Sequence, residues 1–129
     1  MPPRTPVEAV EEAPVLRAGS IDSGETDSAV VDLGATYKML RIIVPNCAGF
    51  DADSTLGAAV APTADPANLR ALYEENDPET IWAKTPPDTA VSCSFVLTHA
   101  YGSQLIRLQL DKVTTAAVPF VVVGYGRFG

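Results

Sequence analysis

The chain has 129 residues, of which 47% are hydrophobic and 19% charged, and this balance suits one globular domain with its own core. Sixteen acidic against nine basic residues give a formal net charge of -7 at pH 7. Because nucleic acids and anionic membranes bind concentrated basic surfaces, we expect neither as a partner. The longest apolar stretch, Ala116 to Gly126, is interrupted by Pro119 and is shorter than the ~20 residues of a membrane-spanning helix.

Residues 1–27 differ in composition from the rest of the chain. They contain four prolines, and six acids against two arginines give them -4 of the net charge of -7. Prolines oppose helices and central strands, and the charge opposes collapse, so we predict an extended N-terminal arm that orders along a partner. The alternative is a solvated tail with incidental apolar residues. The candidate interface anchors of this arm are Val7, Val10, Val15, Leu16 and Ile21.

From Ser28 onward, short apolar runs alternate with Gly, Pro, Asn and Asp, a pattern typical of short strands joined by turns. One segment, Leu69–Glu74, fits either a strand or a single helical turn. The predicted strands are Ala29–Leu33, Tyr37–Val44, Leu56–Ala61, Thr80–Lys84, Val91–Leu97, Ser103–Leu110 and Val118–Tyr125.

The last third of the chain carries the clearest strand signals. Val91–Leu97 and Ser103–Leu110 alternate between apolar and polar positions, as half-buried strands do. Val118–Tyr125 is almost continuously apolar, which is typical of a strand covered on both faces. Seven or eight strands spaced about 8–12 residues apart predict an all-β fold, an antiparallel β-sandwich of jelly-roll type. We assign it to residues 28–129, preceded by the extended arm of residues 1–27.

The chain offers little for catalysis or for holding a cofactor. Its single histidine, His99, falls in a predicted hairpin turn, and no Gly-rich phosphate loop is present, so we expect no enzyme activity and no cofactor. Asp51 and Asp53 share one loop that could ligate Ca²⁺, but such a site needs about six oxygens or more, and we expect an ordinary turn without metal. Cys47 and Cys93 lie in apolar contexts and fit either two buried thiols or a disulfide.

Aromatic side chains suggest binding surfaces. Trp82, Tyr73 and Tyr101 could form a platform on which sugars stack, or they could pack in the core or at its rim. Arg127 and Phe128 leave a cation and an aromatic ring at the end of the chain, which suggests docking against a partner. The candidate interface residues outside the arm are therefore Trp82, Tyr73, Arg127 and Phe128.

The segment VVDLGATYKMLRIIVPNCAGFDADSTLGAAVA resembles small β-sandwich proteins encoded among the structural genes of tailed bacteriophages. In those proteins a strand ends in a DLG-x-x-Y turn, and a strand of the L-x-I-x-I-P kind follows. The resemblance spans roughly residues 29 to 126 and includes later matching segments. These segments are Leu72-Tyr73, Ser94-Phe95, Gln104–Leu110 and Val118–Tyr125.

The resemblance implies a non-enzymatic capsid decoration or cement protein on the exterior of the virion. Such a protein binds the major capsid protein, stabilises the shell and associates with its own copies, with a trimer favoured. An extended arm suits this role, because a strand laid across a neighbour adds main-chain hydrogen bonds. Two alternatives stay open, namely a tail or neck connector and a carbohydrate-binding module that recognises a cell-surface glycan.

Overall fold

The computed structural model describes residues 13–74, 77–97 and 100–128. Across these ranges the chain forms nine strands, all paired antiparallel, and one short 3-10 helix, Pro66–Asn68. No helix in the described ranges has the length and apolar character required to cross a membrane. The strands are β1 Val15–Ile21, β2 Val31–Val44, β3 Leu56–Ala61, β4 Arg70–Ala71, β5 Tyr73–Glu74, β6 Asp77–Ile81, β7 Cys93–Leu97, β8 Ser103–Leu110 and β9 Val118–Arg127.

The long strand β2 organises the sandwich. One edge of β2 pairs with β9. The other edge pairs first with β8, where Val31 faces Ile106, and then with β7, where Val44 faces Cys93. Two layers therefore share this strand. We call β1, β9, β2 and β7 the β7 layer, and β2, β8, β3 and β4 the β8 layer.

The core lies between the two layers, and one continuous apolar cluster takes side chains from both of them. This arrangement confirms the all-β antiparallel β-sandwich that the sequence predicts. Strands β5 and β6 form a separate two-stranded sheet. The β7 layer contributes Ile42, Val44, Leu97, Val118, Phe120 and Val122, and the β8 layer contributes Leu56, Ala58, Ile106 and Leu108.

The sequence predicts two strands, Ala29–Leu33 and Tyr37–Val44, where the structure has the single strand β2. The chain continues through Gly34 as one strand whose register shifts between Asp32 and Tyr37. Gly34 adopts a φ of 80°, and its N–H donates to Asp32 Oδ1 at 2.8 Å. A glycine tolerates this left-handed conformation, so the strand bulges without ending. The same backbone hydrogen bond is the main cause that lowers the pKa of Asp32.

Part of the predicted arm belongs to the sandwich. Residues 15–21 form β1, which pairs along β9 from Val15 opposite Gly124 to Ile21 opposite Val118. The Ile21 side chain is fully buried, and Asp27 bridges to Gln109 of β8. The edge of β9 thus supplies the partner that the arm was expected to find elsewhere. The boundary predicted after residue 27 therefore does not separate an arm from the sandwich, because residues 15–21 already belong to the sheet. Val7 and Val10 lie outside the described residues.

Two further predictions concern the middle of the chain. The segment that fitted a strand or a helical turn contains two short strands, β4 and β5, and follows the 3-10 helix. Asp65 caps this helix, because its Oδ1 accepts from the N–H of Ala67 at 3.0 Å. The strand expected at Thr80–Lys84 is β6, which begins earlier and ends at Ile81.

Close packing of β1 over the core makes Gly19 intolerant of a side chain. A Cβ built there would lie 2.5 Å from Cζ of Phe120 and 2.9 Å from Cγ2 of Val31. We expect Gly19→Ala to lower the free energy of unfolding by about 1–3 kcal/mol in urea denaturation, because the core must shift to admit the methyl group. Gly57→Ala is the matched control, since its nearest atom, the backbone oxygen of Trp82, is 3.5 Å away. Equal stability of the two variants would contradict this packing.

Candidate functional site

The outer side of the β7 layer is the surface that stands out. Leu40, Ile42 and Val44 of β2 are fully buried and point into the core, so the residues between them point away from it. Directly paired residues form a row across all four strands, from Leu16 through Val123 and Arg41 to Val96. We call this surface the outer face. It consists of Leu16, Ala18, Met39, Arg41, Ile43, Ser94, Val96, Val121, Val123 and Tyr125.

The outer face is apolar where solvent-facing sides of antiparallel sheets are normally polar. Arg41 is its only charged residue. Leu16 and Val96, at the two margins, are 59% and 43% exposed, whereas Val123 between them is 4% exposed. The largest apolar patch of a folded protein is often functional, so the outer face is a candidate interaction surface. In the sequence, this surface was indicated by the almost continuous apolar run Val118–Tyr125, which predicts a strand covered on both faces.

Arg41 lies in the middle of the outer face with an unsatisfied donor. Its Nε is buried and has no hydrogen-bond partner among the described residues, a property that Arg107 of the β8 layer shares. Beside Arg41 an open depression of about 420 Å³ is lined by Ile43, Ser92, Cys93 and Ser94. A partner that covers the guanidinium of Arg41 must itself bring an acceptor, because a buried unpaired charge is costly.

A second exposed cluster lies near the end of β9. The ring of Tyr101 is 66% exposed and meets Phe128 edge to face, with centroids 4.8 Å apart. Lys38 Nζ lies 5.7 Å from the centroid of the Phe128 ring. The N–H of Phe128 donates to the carbonyl of Thr36 at 3.0 Å, which anchors this end of the chain to β2. The cluster therefore contains one exposed ring, Tyr101, and a cation that lies over the second ring, Phe128.

The structure separates the residues that sequence analysis grouped as interface candidates. Leu16 lies on the outer face, while Val15 is half-buried against the core and Ile21 is fully buried. Arg127 is exposed at the end of β9. The outer-face residues that the sequence did not single out are Met39, Arg41, Ile43, Val121 and Val123.

Trp82, which the sequence suggested as an interface residue, is buried. Its side chain is 2% exposed and packs edge to face with Phe95, with ring centroids 6.0 Å apart. A ring this buried offers no surface to a sugar or a protein, so Trp82 is a core residue. Tyr73 is 43% exposed and lies opposite Ile81 in the β5–β6 pair. The stacking platform expected from Trp82, Tyr73 and Tyr101 is therefore incomplete.

The acidic loop after β2 is held by hydrogen bonds to Asp111, which follows β8. Asp111 Oδ1 accepts from the N–H of Thr55 at 2.6 Å and from the hydroxyl of Ser54 at 3.3 Å. The hydrogen bond from Thr55 is the main cause that lowers the pKa of Asp111. In the part of the chain that the structure describes, no three His, Cys, Asp or Glu side chains gather as metal ligands would. His99 lies outside the described residues.

Comparisons with known proteins identify a fold and no family. No family model matches the chain, and no curated protein matches it. A family 89 glycoside hydrolase from Clostridium perfringens, solved with its substrate GlcNAc-alpha-1,4-galactose, is 14% identical with a TM-score of 0.53. The match covers 87% of this chain and 12% of that enzyme.

Two further solved structures contain a CBM32 domain of AlyQ. Truncated AlyQ with its CBM32 and alginate lyase domains is 17% identical, with a TM-score of 0.48, and the match covers 86% of this chain and 27% of that one. The CBM32 domain in complex with 4,5-unsaturated mannuronic acid is 17% identical, with a TM-score of 0.33, covering 82% of this chain and 75% of that one. At these identities, the glycoside hydrolase match establishes likeness of fold alone. The chain is an antiparallel β-sandwich of a kind that also occurs as one part of a much longer protein.

Proposed function

We propose that this chain is a non-catalytic docking module whose outer face binds a protein surface. The observation that carries the proposal is the apolar row from Leu16 to Val96, in which Arg41 is the one cation. The complementary surface would be apolar around one acceptor, a carboxylate or a backbone carbonyl. Such a partner would cover the exposed apolar side chains and satisfy the arginine in a single contact.

The size of the outer face favours a role in a repetitive assembly. Four strands and three rows of side chains span roughly 20 Å by 20 Å, about 400 Å², from ordinary strand and residue spacings. A standard stable interface buries about 800 Å² on each partner, so one such contact is weak alone. Many identical contacts on one assembly supply avidity.

A phage capsid is the repetitive assembly that the sequence resemblance suggests. In this proposal the chain decorates the exterior of the virion, binds the major capsid protein and strengthens the shell. Association with other copies of the chain, with a trimer favoured, is part of the same proposal. Light scattering after size exclusion on the full chain tests that part.

The docking test compares two valines of similar exposure. Val96 lies on the outer face and is 43% exposed, whereas Val113 lies between β8 and β9 and is 51% exposed. We expect Val96→Glu to weaken binding to capsid shells of the encoding phage by roughly 30-fold or more, about 2 kcal/mol, because it buries a charge in an apolar contact. Co-sedimentation measures the binding. Val113→Glu should bind as the unaltered chain does, and loss of binding in both variants or in neither would refute the outer face as the docking surface.

The second candidate function is carbohydrate binding, and the Tyr101 cluster favours it. The exposed ring of Tyr101 could stack on a sugar, and Lys38, over the neighbouring ring of Phe128, could donate hydrogen bonds to it. The β-sandwich fold is shared with part of a glycoside hydrolase whose structure holds a disaccharide substrate. This likeness concerns the fold alone, so the support for carbohydrate binding comes from the Tyr101 cluster.

Calorimetric titration with cell-surface glycans separates the two functions. Intrinsic fluorescence is a poor readout, because Trp82 is buried away from the Tyr101 cluster. Carbohydrate binding predicts saturable heat that disappears in Tyr101→Ala and persists in Tyr73→Ala, since Tyr73 is exposed on a different strand pair. The docking function predicts no heat with any of the three proteins.

A further inference from the structure

The two cysteines of the chain meet at one place in the sandwich. Sγ of Cys47, in the turn after β2, lies 3.0 Å from Sγ of Cys93, the first residue of β7. Cys47 is fully buried, and Cys93 is half-buried against the core. A disulfide requires the sulfurs to approach to about 2.05 Å, so a movement of about 1 Å in the side chains would close the bond.

The backbone holds the two cysteines together independently of their side chains. Cys93 pairs with Val44 at the end of β2, three residues before Cys47. The N–H of Cys47 donates to the carbonyl of Val91 at 2.9 Å, two residues before Cys93. The proximity of the sulfurs therefore follows from strand pairing and from this turn, and it would persist in either redox state.

We propose that Cys47 and Cys93 are an intramolecular disulfide site, oxidised by a low-molecular-weight disulfide such as glutathione disulfide. This inference does not depend on the proposed docking function. The thiolate of Cys93 attacks one sulfur of glutathione disulfide and forms a mixed disulfide, which releases one glutathione thiolate. Cys47 then loses its proton and attacks Sγ of Cys93, which expels the second glutathione. The protein loses two protons and two electrons, and one glutathione disulfide becomes two glutathiones.

Access and acidity give the two thiols different roles in this sequence of steps. Cys93 is half-buried at the start of β7, so it is the more accessible of the two cysteines to a small oxidant. Cys47 is shielded from solvent, and burial, together with its hydrogen bond to the Cys93 thiol, raises its pKa to about 12. Cys93 is therefore the thiol that exchanges first, and Cys47 is the resolving thiol.

The bond would close a loop that contains the strands β3 to β6. The two cysteines are 46 positions apart and enclose β3 to β6 and the segment of residues 82–92 that leads into β7. Closing a loop of this length restricts the unfolded chain, and we expect the thermal midpoint of the oxidised protein to rise by on the order of 10 °C. Disulfides of this kind persist outside the reducing cytosol, on virion surfaces among other places.

The test uses the full chain equilibrated with defined ratios of reduced glutathione and glutathione disulfide. After acid quenching, the protein is denatured, treated with N-ethylmaleimide and weighed by mass spectrometry. We expect a monomer that is lighter by two hydrogens and takes up no maleimide, together with the higher thermal midpoint. In Cys93→Ser, Cys47 should remain a free thiol under the same conditions, because the thiol that attacks glutathione disulfide first is absent. Cys47→Ser should stop at the glutathione adduct on Cys93.

Three results would overturn the proposal. The first is uptake of two maleimides by the unaltered chain at every ratio. The second is a glutathione adduct on the unaltered chain that never closes to the internal bond. The third is a disulfide between chains, which a non-reducing gel detects. The variant with both Cys47→Ala and Cys93→Ala controls the stability measurement, since its thermal midpoint must not respond to glutathione disulfide.

Discussion

A chain shortened to begin at Ser28 should fail to fold, in contrast to the full chain measured beside it. The shorter chain loses β1, which pairs with β9 over all seven of its residues. It also loses the side chain of Ile21, and removal of such a buried side chain alone costs about 2–5 kcal/mol. Domains of this size have only about 5–15 kcal/mol of stability in total.

Residues between β1 and Ser28 add to this loss. The carbonyl of Thr26 accepts from the N–H of Leu110 at 2.8 Å, and the carbonyl of Glu25 accepts from Thr114 at 3.0 Å. Removing them leaves backbone donors of the β8 and β9 region without partners. Circular dichroism and one-dimensional proton NMR of both chains measure the effect. A Ser28 chain with dispersed methyl signals and an unchanged thermal midpoint would mean that residues 13–27 are an arm after all.

Replacing Trp82 by alanine should lower the free energy of unfolding by about 3–5 kcal/mol, because the ring is a buried part of the core against Phe95. Tyr73→Ala should change it by no more than about 0.5 kcal/mol, since that ring is 43% exposed. Urea denaturation of the two variants measures the difference. The opposite order of stability would return Trp82 to the surface and restore it as a binding residue.

The bounds of two strands were predictable from sequence. β3 and β8 have the bounds expected for them, Leu56–Ala61 and Ser103–Leu110. In β8, Ile106 and Leu108 are buried while Arg107 between them is half-exposed, as the alternation indicates. Each residue in such a strand reports the face on which it lies, so local pattern is sufficient.

Pairing between distant segments was not predictable in the same way. β1 lies about 100 positions from β9, and the prolines and acids around it indicate an arm when considered alone. Its strand pairing is determined by the open edge of β9. The sequence left Trp82 open between a binding platform and the core for a related reason. Thr80 and Lys84, two positions to either side, are polar, and the ring packs against Phe95 of another strand.

The outer face was visible in the sequence only as an excess of apolar residues. The run Phe120–Val123 indicated a strand covered on both faces, but it did not say which strands lie beside it. Only the observed pairing brings Leu16, Arg41 and Val96 into one row with Val123. Strand order is a property of the whole chain, and that is why the candidate site required the structure.

Hydroxyl-radical footprinting of the full chain, free and mixed with the capsid shells that we propose as its partner, tests the outer face most directly. Docking through this face predicts that oxidation of Leu16, Met39 and Val96 falls on binding, while Tyr101 and Val113 react as they do in the free protein. Protection of Tyr101 with unchanged oxidation of Leu16, Met39 and Val96 would contradict the account and move the binding site to the end of the sandwich.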